Sequence, residues 1–190
     1  MRIISQNITN YGFEVPENTV FRINLAWCNS INDLRDILDK HKTNEIFLDL
    51  PTKRIKPPNN RYQIEDLISI IETYKQIKYF AVSNVESGND LQPYIKILPS
   101  NIIFVPKIES ASAIDNISDI ISAIPSEKKI IMLDHDDLFS KLVKNNEPLN
   151  KFQSSIQKLI EYCNKNNIIL LRTIGVIFSD EEKRTTQYIK

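Results

Sequence analysis

The sequence predicts an α/β fold, a compact or incomplete (β/α)8 barrel of the TIM type, formed by a single domain over residues 1–190. Three observations predict it. Short apolar runs alternate with stretches whose apolar residues recur at helical spacing, the pattern of a parallel sheet. Several of these runs end abruptly in charged or hydroxylated residues, as strands do when a site is built at their C-terminal ends. The chain has only three glycines, and none makes a glycine-rich loop after a strand. That counts against the nucleotide-binding forms of the open, doubly wound sheet, which is the alternative α/β arrangement.

The elements follow in order. Arg2–Ser5 is a candidate short strand, and Asn7–Glu17 is polar and broken by Gly12 and Pro16. Val20–Leu25 is the first strong strand. A helix follows over Asn32–His41, with apolar residues at 34, 37 and 38 and Asn29 or Ser30 as cap. Glu45–Leu50 is the next strand, and Pro51–Asn60 is a basic, proline-marked loop. Ile64–Lys75 has helical periodicity, Tyr79–Val82 reads as a strand, and Asn89–Leu98 as a helix with Pro93 near its start. Ile102–Val105 and Lys129–Leu133 are strands joined by a helix over 111–123. Leu149–Asn164 is a helix, and Ile168–Leu171 a strand ending in Arg172-Thr173. Strand and helix thus alternate six times, or seven with Arg2–Ser5. A complete barrel takes roughly 200–250 residues, and one apolar run, Ile174–Phe178, remains after the last strand. The barrel is expected to be compact, incomplete or closed in an unusual way.

Composition narrows the function. Hydrophobic residues make up 42% and charged residues 25%, ordinary for a globular protein. Lysine plus arginine equal aspartate plus glutamate at 24 each, so the chain lacks the basic excess of a general nucleic-acid or membrane-surface binder. Cys28 and Cys163 are too few and too distant for a disulfide framework or a zinc pattern, and read as reduced thiols. No apolar run reaches the roughly 18–20 residues of a membrane span, and no leader pattern opens the sequence. The expectation is a cytoplasmic protein without nucleic-acid or membrane partners.

Residues two apart on a strand point the same way. Arg22 and Asn24 form one such pair, Lys107 and Glu109 another. Asp49, Ser83, Asp137 and Thr173 end further strands. Polar groups at six successive strand ends converge only if the sheet curls. Glu109 and Asp137 form an oxygen-donor pair suited to Mg²⁺ or Mn²⁺, which take one or two protein carboxylates and leave room for substrate. Lys107 beside that metal would stabilise an enolate or phosphoryl oxygen. Arg22 would hold a carboxylate or phosphate. Asp134 and Asp136 read equally well as site residues or as helix caps and solvated loop charges. His135 reads as a loop histidine, and Lys53, Arg54 and Lys56 as a solvated basic loop. Trp27 and Cys28 follow a strand, with packing as their simplest role.

These residues resemble the barrel domain of the pyruvate kinase family. Phe21–Leu25 resembles that family's ARLNF segment, and Leu48–Lys56 its LDLQGPKIR. Ala81–Ser87 resembles ALSFVRS. Val105–Glu109 with Ala113–Ile117 is similar to AKIEN…GVDNI. Ile131–Leu138 resembles IMVARGDL, and Arg172-Thr173 stands at the ATQ threonine. The segments run collinearly from residue 20 to residue 175. The resemblance implies that Glu109 and Asp137 bind the divalent metal and that Lys107 stabilises the enolate and the transferring phosphoryl group. It implies that Arg22 contacts that group, that Thr173 lies near the protonated carbon, and that Asn24 and Asp49 belong to a K⁺ site. Ser83 falls in the same substrate-binding set. Four departures stand out. Ala26 replaces a serine of the K⁺ site, Lys56 replaces an arginine, and Asp136 replaces the glycine beside which a substrate carboxylate approaches. Pro57–Tyr62 stands in place of the lid domain that covers the nucleotide, and no regulatory C-terminal domain is expected. The IES and DDL segments are also similar to the citrate lyase β-subunit and HpcH-type aldolases, which use a metal and an enolate but no nucleotide. The implied function is a metal-dependent enzyme handling a pyruvate-type enolate of a small carboxylate substrate, by phosphoryl transfer or carbon–carbon bond chemistry. The alternative is a non-catalytic binding or assembly relative. An incomplete barrel exposes an edge strand, so a homo-oligomer is expected.

Overall fold

Seven parallel strands pair side by side in the order in which the chain makes them. They are β1 (Ile3–Ser5), β2 (Val20–Asn24), β3 (Ile46–Leu50), β4 (Ile77–Val82), β5 (Ile103–Ile108), β6 (Ile130–Leu133) and β7 (Ile169–Arg172). Among the described residues seven α-helices accompany them: α1 (Ile31–Lys40), α2 (Ile64–Thr73), α3 (Gln92–Ile95), α4 (Ala111–Asp115), α5 (Ile117–Ala123), α6 (His135–Lys144) and α7 (Asn150–Lys165). The computed structural model describes residues 3–6, 19–53, 58–148 and 150–172. The polar stretch 7–17, Arg54, Lys56, Thr173 and the run 174–178 lie outside the described residues.

A doubly wound sheet reverses its strand order once and covers both faces with helices. This sheet never reverses. Each parallel return crosses the same face, so the helices collect there. The apolar residues show the consequence. Phe21, Ile23, Leu48, Phe80, Phe104 and Ile131 share one cluster with the helix residues Leu34, Leu67, Ile120, Leu138 and Leu159. Val20, Phe47, Tyr79, Ala81, Val105, Ile130 and Met132, all from strands, form a second cluster on the opposite face. The sheet is a curled half-barrel, with helices outside and a purely strand-built layer inside. Among the described residues β1 and β7 each have one strand neighbour, which is compatible with an incomplete barrel.

Several boundaries differ from expectation. Strand β5 continues through Pro106 to Ile108. Its pairing with β4 ends at Pro106 and its pairing with β6 begins at Lys107, so the residue that lacks an N–H sits where the strand changes neighbours. The single helix expected over 111–123 is two helices divided at Asn116. The helix expected over 89–98 is a 3-10 turn, Gly88–Leu91, followed by the one-turn α3. Helix α6 was not expected at all. Asp134 caps it, accepting from the Asp137 N–H at 3.3 Å. Asp136 and Asp137 lie in its first turn and Lys141 and Lys144 in its last, each complementing the helix dipole. Its buried face is only Leu138 and Leu142, too short a stripe for periodicity to reveal.

Candidate active site

Alternation along the strands builds the site directly on the inner apolar layer. Above Val20, Phe47, Ala81, Val105 and Met132, the next inward positions are Arg22, Asp49, Ser83, Lys107 and Asp134, with Glu109 one step beyond Lys107. Register sets Asn24 opposite Asp49. Sequence position and sheet geometry therefore put four charged groups in one layer and Glu109 directly above it, most of them out of water.

Lys107 is the centre of that layer and is 5% exposed. Its Nζ lies 2.9 Å from Glu109 Oε1, 3.5 Å from Asp134 Oδ2 and 3.8 Å from Asp49 Oδ2, and 3.2 Å from Ser83 Oγ. Arg22 takes the same oxygen of Asp49, through Nε at 3.0 Å and through Nη2. Burial alone would drive the Lys107 ammonium to lose its proton. The carboxylates of Asp49, Glu109 and Asp134 outweigh burial and raise its pKa above the ordinary lysine value. That direction favours a charged ammonium over a nucleophilic amine. Incubation with pyruvate and borohydride is expected to leave Lys107 unmodified by mass spectrometry. Covalent trapping at Lys107 would refute this electrostatic role.

Glu109 is 2% exposed, and burial is the main reason its pKa is raised. Lys107 opposes that shift, while Asp134 and Asp137 push it further. Oxygens of Glu109, Asp134 and Asp137 all lie within 4.8 Å of one another. Three crowded carboxylates, one of them buried and resisting ionisation, could hold a metal ion, which would relieve the repulsion. The oxygen-only donor set suits a hard divalent cation. Asp134, expected as either a site residue or a cap or solvated charge, is both a cap and a member of this cluster. Its Oδ1 serves the helix and its Oδ2 faces Lys107.

A cavity of about 260 Å³ opens above these groups. Asn24, Asp49, Ser83, Lys107 and Glu109 line it from the strands. Pro51–Lys53 and Asn84 line it from the following loops, and Asp137, Ser140, Lys141 and Lys144 from α6. The structure therefore brings together Lys107, Glu109, Asp137, Ser83, Asn24 and Asp49, with Arg22 behind Asp49. Thr173 is outside the described residues. Asn24 Oδ1 caps the 3-10 turn Leu25–Trp27 by accepting from Ala26 N–H at 3.0 Å. Asp136, expected where a substrate carboxylate would approach, is exposed on the first turn of α6 and does not line the cavity. His135 is the first residue of α6, not a loop residue, and accepts from Arg172 Nε at 3.2 Å. Trp27 is exposed rather than packed, whereas Cys28 is in the core.

Several lining residues are not among those expected, Asn84, Ser140, Lys141 and Lys144 among them. Lys141 lies on the unexpected α6. Asn84 has a left-handed backbone, φ 54°. Its N–H donates to Glu109 Oε2 at 2.9 Å, its Nδ2 donates to Thr52 O at 2.8 Å, and its Oδ1 accepts from Lys141 Nζ at 2.8 Å. One residue thus ties the β3 loop, the buried glutamate and α6 together. Asparagine after a strand, with its tolerance of this backbone region, was the available signal. Asn84→Ala is expected to be less stable to urea than Asn84→Gly by about 1 kcal/mol, the cost of placing Cβ in the left-handed region. Equal stability would mean that the backbone relaxes.

No protein-family model matches the chain, and no curated protein matches it by sequence. Solved structures do match its fold. RipC from Yersinia pestis superimposes with a TM-score of 0.59 at 17% identity, over 85% of this chain and 72% of RipC. A pyruvate kinase from Cryptosporidium parvum superimposes with a TM-score of 0.57 at 13% identity, over 82% of this chain. The chain spans 52% of the length of that pyruvate kinase. At these identities the likeness is one of fold.

Proposed function

We propose that the chain is a divalent-metal-dependent enzyme that forms or consumes the enolate of a small oxo-acid, making or breaking the adjacent carbon–carbon bond. One observation carries the reading. The oxygens of Glu109, Asp134 and Asp137 converge beside the buried ammonium of Lys107, in one cavity. Glu109, Asp134 and Asp137 would hold Mg²⁺ or Mn²⁺, which supplies Lewis-acid polarisation of a carbonyl. Lys107 contributes a fixed positive charge, already desolvated and paid for by its carboxylate partners, near the place where oxyanion charge grows. Arg22, assigned above to a phosphoryl or carboxylate group, makes its strong contact with Asp49 instead. In this reading it is a positioning residue that balances Asp49 so that Lys107 is shared with Glu109 and Asp134. Ser83 orients the ammonium. Thr173 keeps its proposed part in proton delivery.

Carbon–carbon chemistry is favoured over phosphoryl transfer because residues 51–63 connect β3 to α2 with no inserted domain to cover a nucleotide.

The test is calorimetric titration of Mn²⁺ alone and with pyruvate, oxaloacetate or phosphoenolpyruvate, repeated on Glu109→Gln. Expected are Mn²⁺ binding by the wild type, tighter oxo-acid binding when Mn²⁺ is present, and loss of both in the variant. Absence of Mn²⁺ binding, or binding untouched by the substitution, would overturn the assignment. A non-catalytic relative would bind Mn²⁺ and oxo-acid yet exchange no deuterium into the carbon beside the carbonyl. A homo-oligomer covering the β7 edge, where Ile169 is exposed, remains a proposal that size-exclusion with light scattering decides.

A further inference from the structure

The cavity has a second charged end. Asp137, Ser140, Lys141 and Lys144 all line it, and they recur at the spacing of one face of a helix. Helix α6 therefore forms a graded wall, acidic at its first turn and basic at its last. At 1.5 Å rise per residue, the seven steps from Asp137 to Lys144 span about 10 Å. Four lysines line the cavity, Lys53, Lys107, Lys141 and Lys144, against three carboxylates, Asp49, Glu109 and Asp137. Asp134 of the acidic cluster and Glu86 beside Lys141 add two carboxylates to that set, and a divalent cation on the cluster would shift the balance towards positive charge.

The basic end is built as well as charged. Asn84 Oδ1 holds Lys141 Nζ at 2.8 Å, with Glu86 Oε1 at 3.4 Å. Lys144 makes no ion pair among the described residues. Lys53 sits at the mouth with a left-handed backbone, φ 55°, unusual for a lysine. Lys141 and Lys144 also border a neighbouring cavity of about 300 Å³ beside Ser110–Ser112, which gives room at that end.

We infer that the substrate carries a second anionic group, a carboxylate or a phosphate, gripped by Lys141 and Lys144 at the far end of α6 from the acidic cluster. The inference rests on the enolate reading for the identity of the other end. It makes α6 a specificity helix: its N-terminal end addresses the oxo-acid and its C-terminal end selects for the tail.

Two measurements test it. The first is calorimetry in saturating Mn²⁺ with pyruvate, 2-oxoglutarate and phosphonopyruvate, on the wild type and on Lys141→Gln/Lys144→Glu. The wild type is expected to prefer the two acids that carry an anionic tail over pyruvate by about tenfold or more, the worth of one charge-assisted contact. The variant is expected to lose that preference. Which of the two acids gains more separates a carboxylate tail from a phosphate tail. The second measurement needs no metal: inorganic pyrophosphate titrated into the protein, with binding expected for the wild type and lost in the variant. If pyruvate binds with Mn²⁺ but neither the preference nor pyrophosphate binding depends on the two lysines, the tail site is wrong and the enolate reading survives. If no oxo-acid binds but pyrophosphate binding is lost in the variant, the anion site stands and the enolate reading falls.

Discussion

Lys107→Met is expected to cost the protein about 3–5 kcal/mol of stability at neutral pH, the range for removing one partner of a buried charge cluster. The side chain lost is similar in length, so packing is nearly conserved and the effect is electrostatic. Asp49 retains Arg22, but Glu109 loses its only ion-pair partner among the described residues, and Asp134 loses its cation too. Two readouts separate this from a packing defect. The carboxylates left behind would have folded-state pKa values raised above their unfolded ones. The folded state then binds more protons, and stability falls as pH rises through the window just above the ordinary carboxylate range. The deficit against wild type, read from urea midpoints, is therefore expected to shrink on acidification. Mn²⁺ is expected to restore part of the loss by mass action, because it brings positive charge to the same carboxylates. A deficit that ignores both pH and Mn²⁺ would place its cause in packing.

Glu109→Gln is expected to do the opposite. The substitution keeps the volume and an amide oxygen to accept the Asn84 N–H, while removing a charge that burial, Asp134 and Asp137 all disfavour. Lys107 still has Asp49 and Asp134. Stability without metal should change by no more than about 1 kcal/mol, within the usual range for a tolerated change. Mn²⁺ affinity should fall about 100-fold or more, about 2.7 kcal/mol or above, for loss of one charged ligand from a set of three. Wild-type sensitivity to pH gives an independent check. Because the folded-state pKa of Glu109 is raised, this residue lowers stability as pH climbs past its unfolded value, and Glu109→Gln should flatten that slope. A large loss of stability with Mn²⁺ binding intact would mean that Glu109 is a structural anion and the metal assignment is wrong.

Much of this was legible before any coordinates because strands and sites share a signal. Lys107 and Glu109 stand two apart at the end of an apolar run, and parity alone aims both inward. Asp49 and Ser83 were found in the same way. Asp134 was harder, since a residue that ends a strand and opens a helix satisfies two patterns at once. Lys141 was hidden because α6 buries only two residues, so its periodicity is weak and its acidic start looked like a loop. Asn84 acts mostly through its backbone: an N–H that finds Glu109 twenty-five residues away leaves no trace in residue type. The exposure of Asp136 follows from the helical turn that α6 imposes on it, a rotation that strand-end reasoning could not supply.

Asp134 divides its two oxygens between the helix it caps and the charges it faces. Helix caps accept asparagine about as readily as aspartate; sites for hard divalent cations depend on carboxylate charge. A single change at this position would therefore separate architecture from chemistry, leaving α6 anchored while emptying the cluster of part of its charge. Descent within such a fold has a short path from a metal-using protein to one that keeps the cavity, keeps the basic wall, and has stopped doing the reaction.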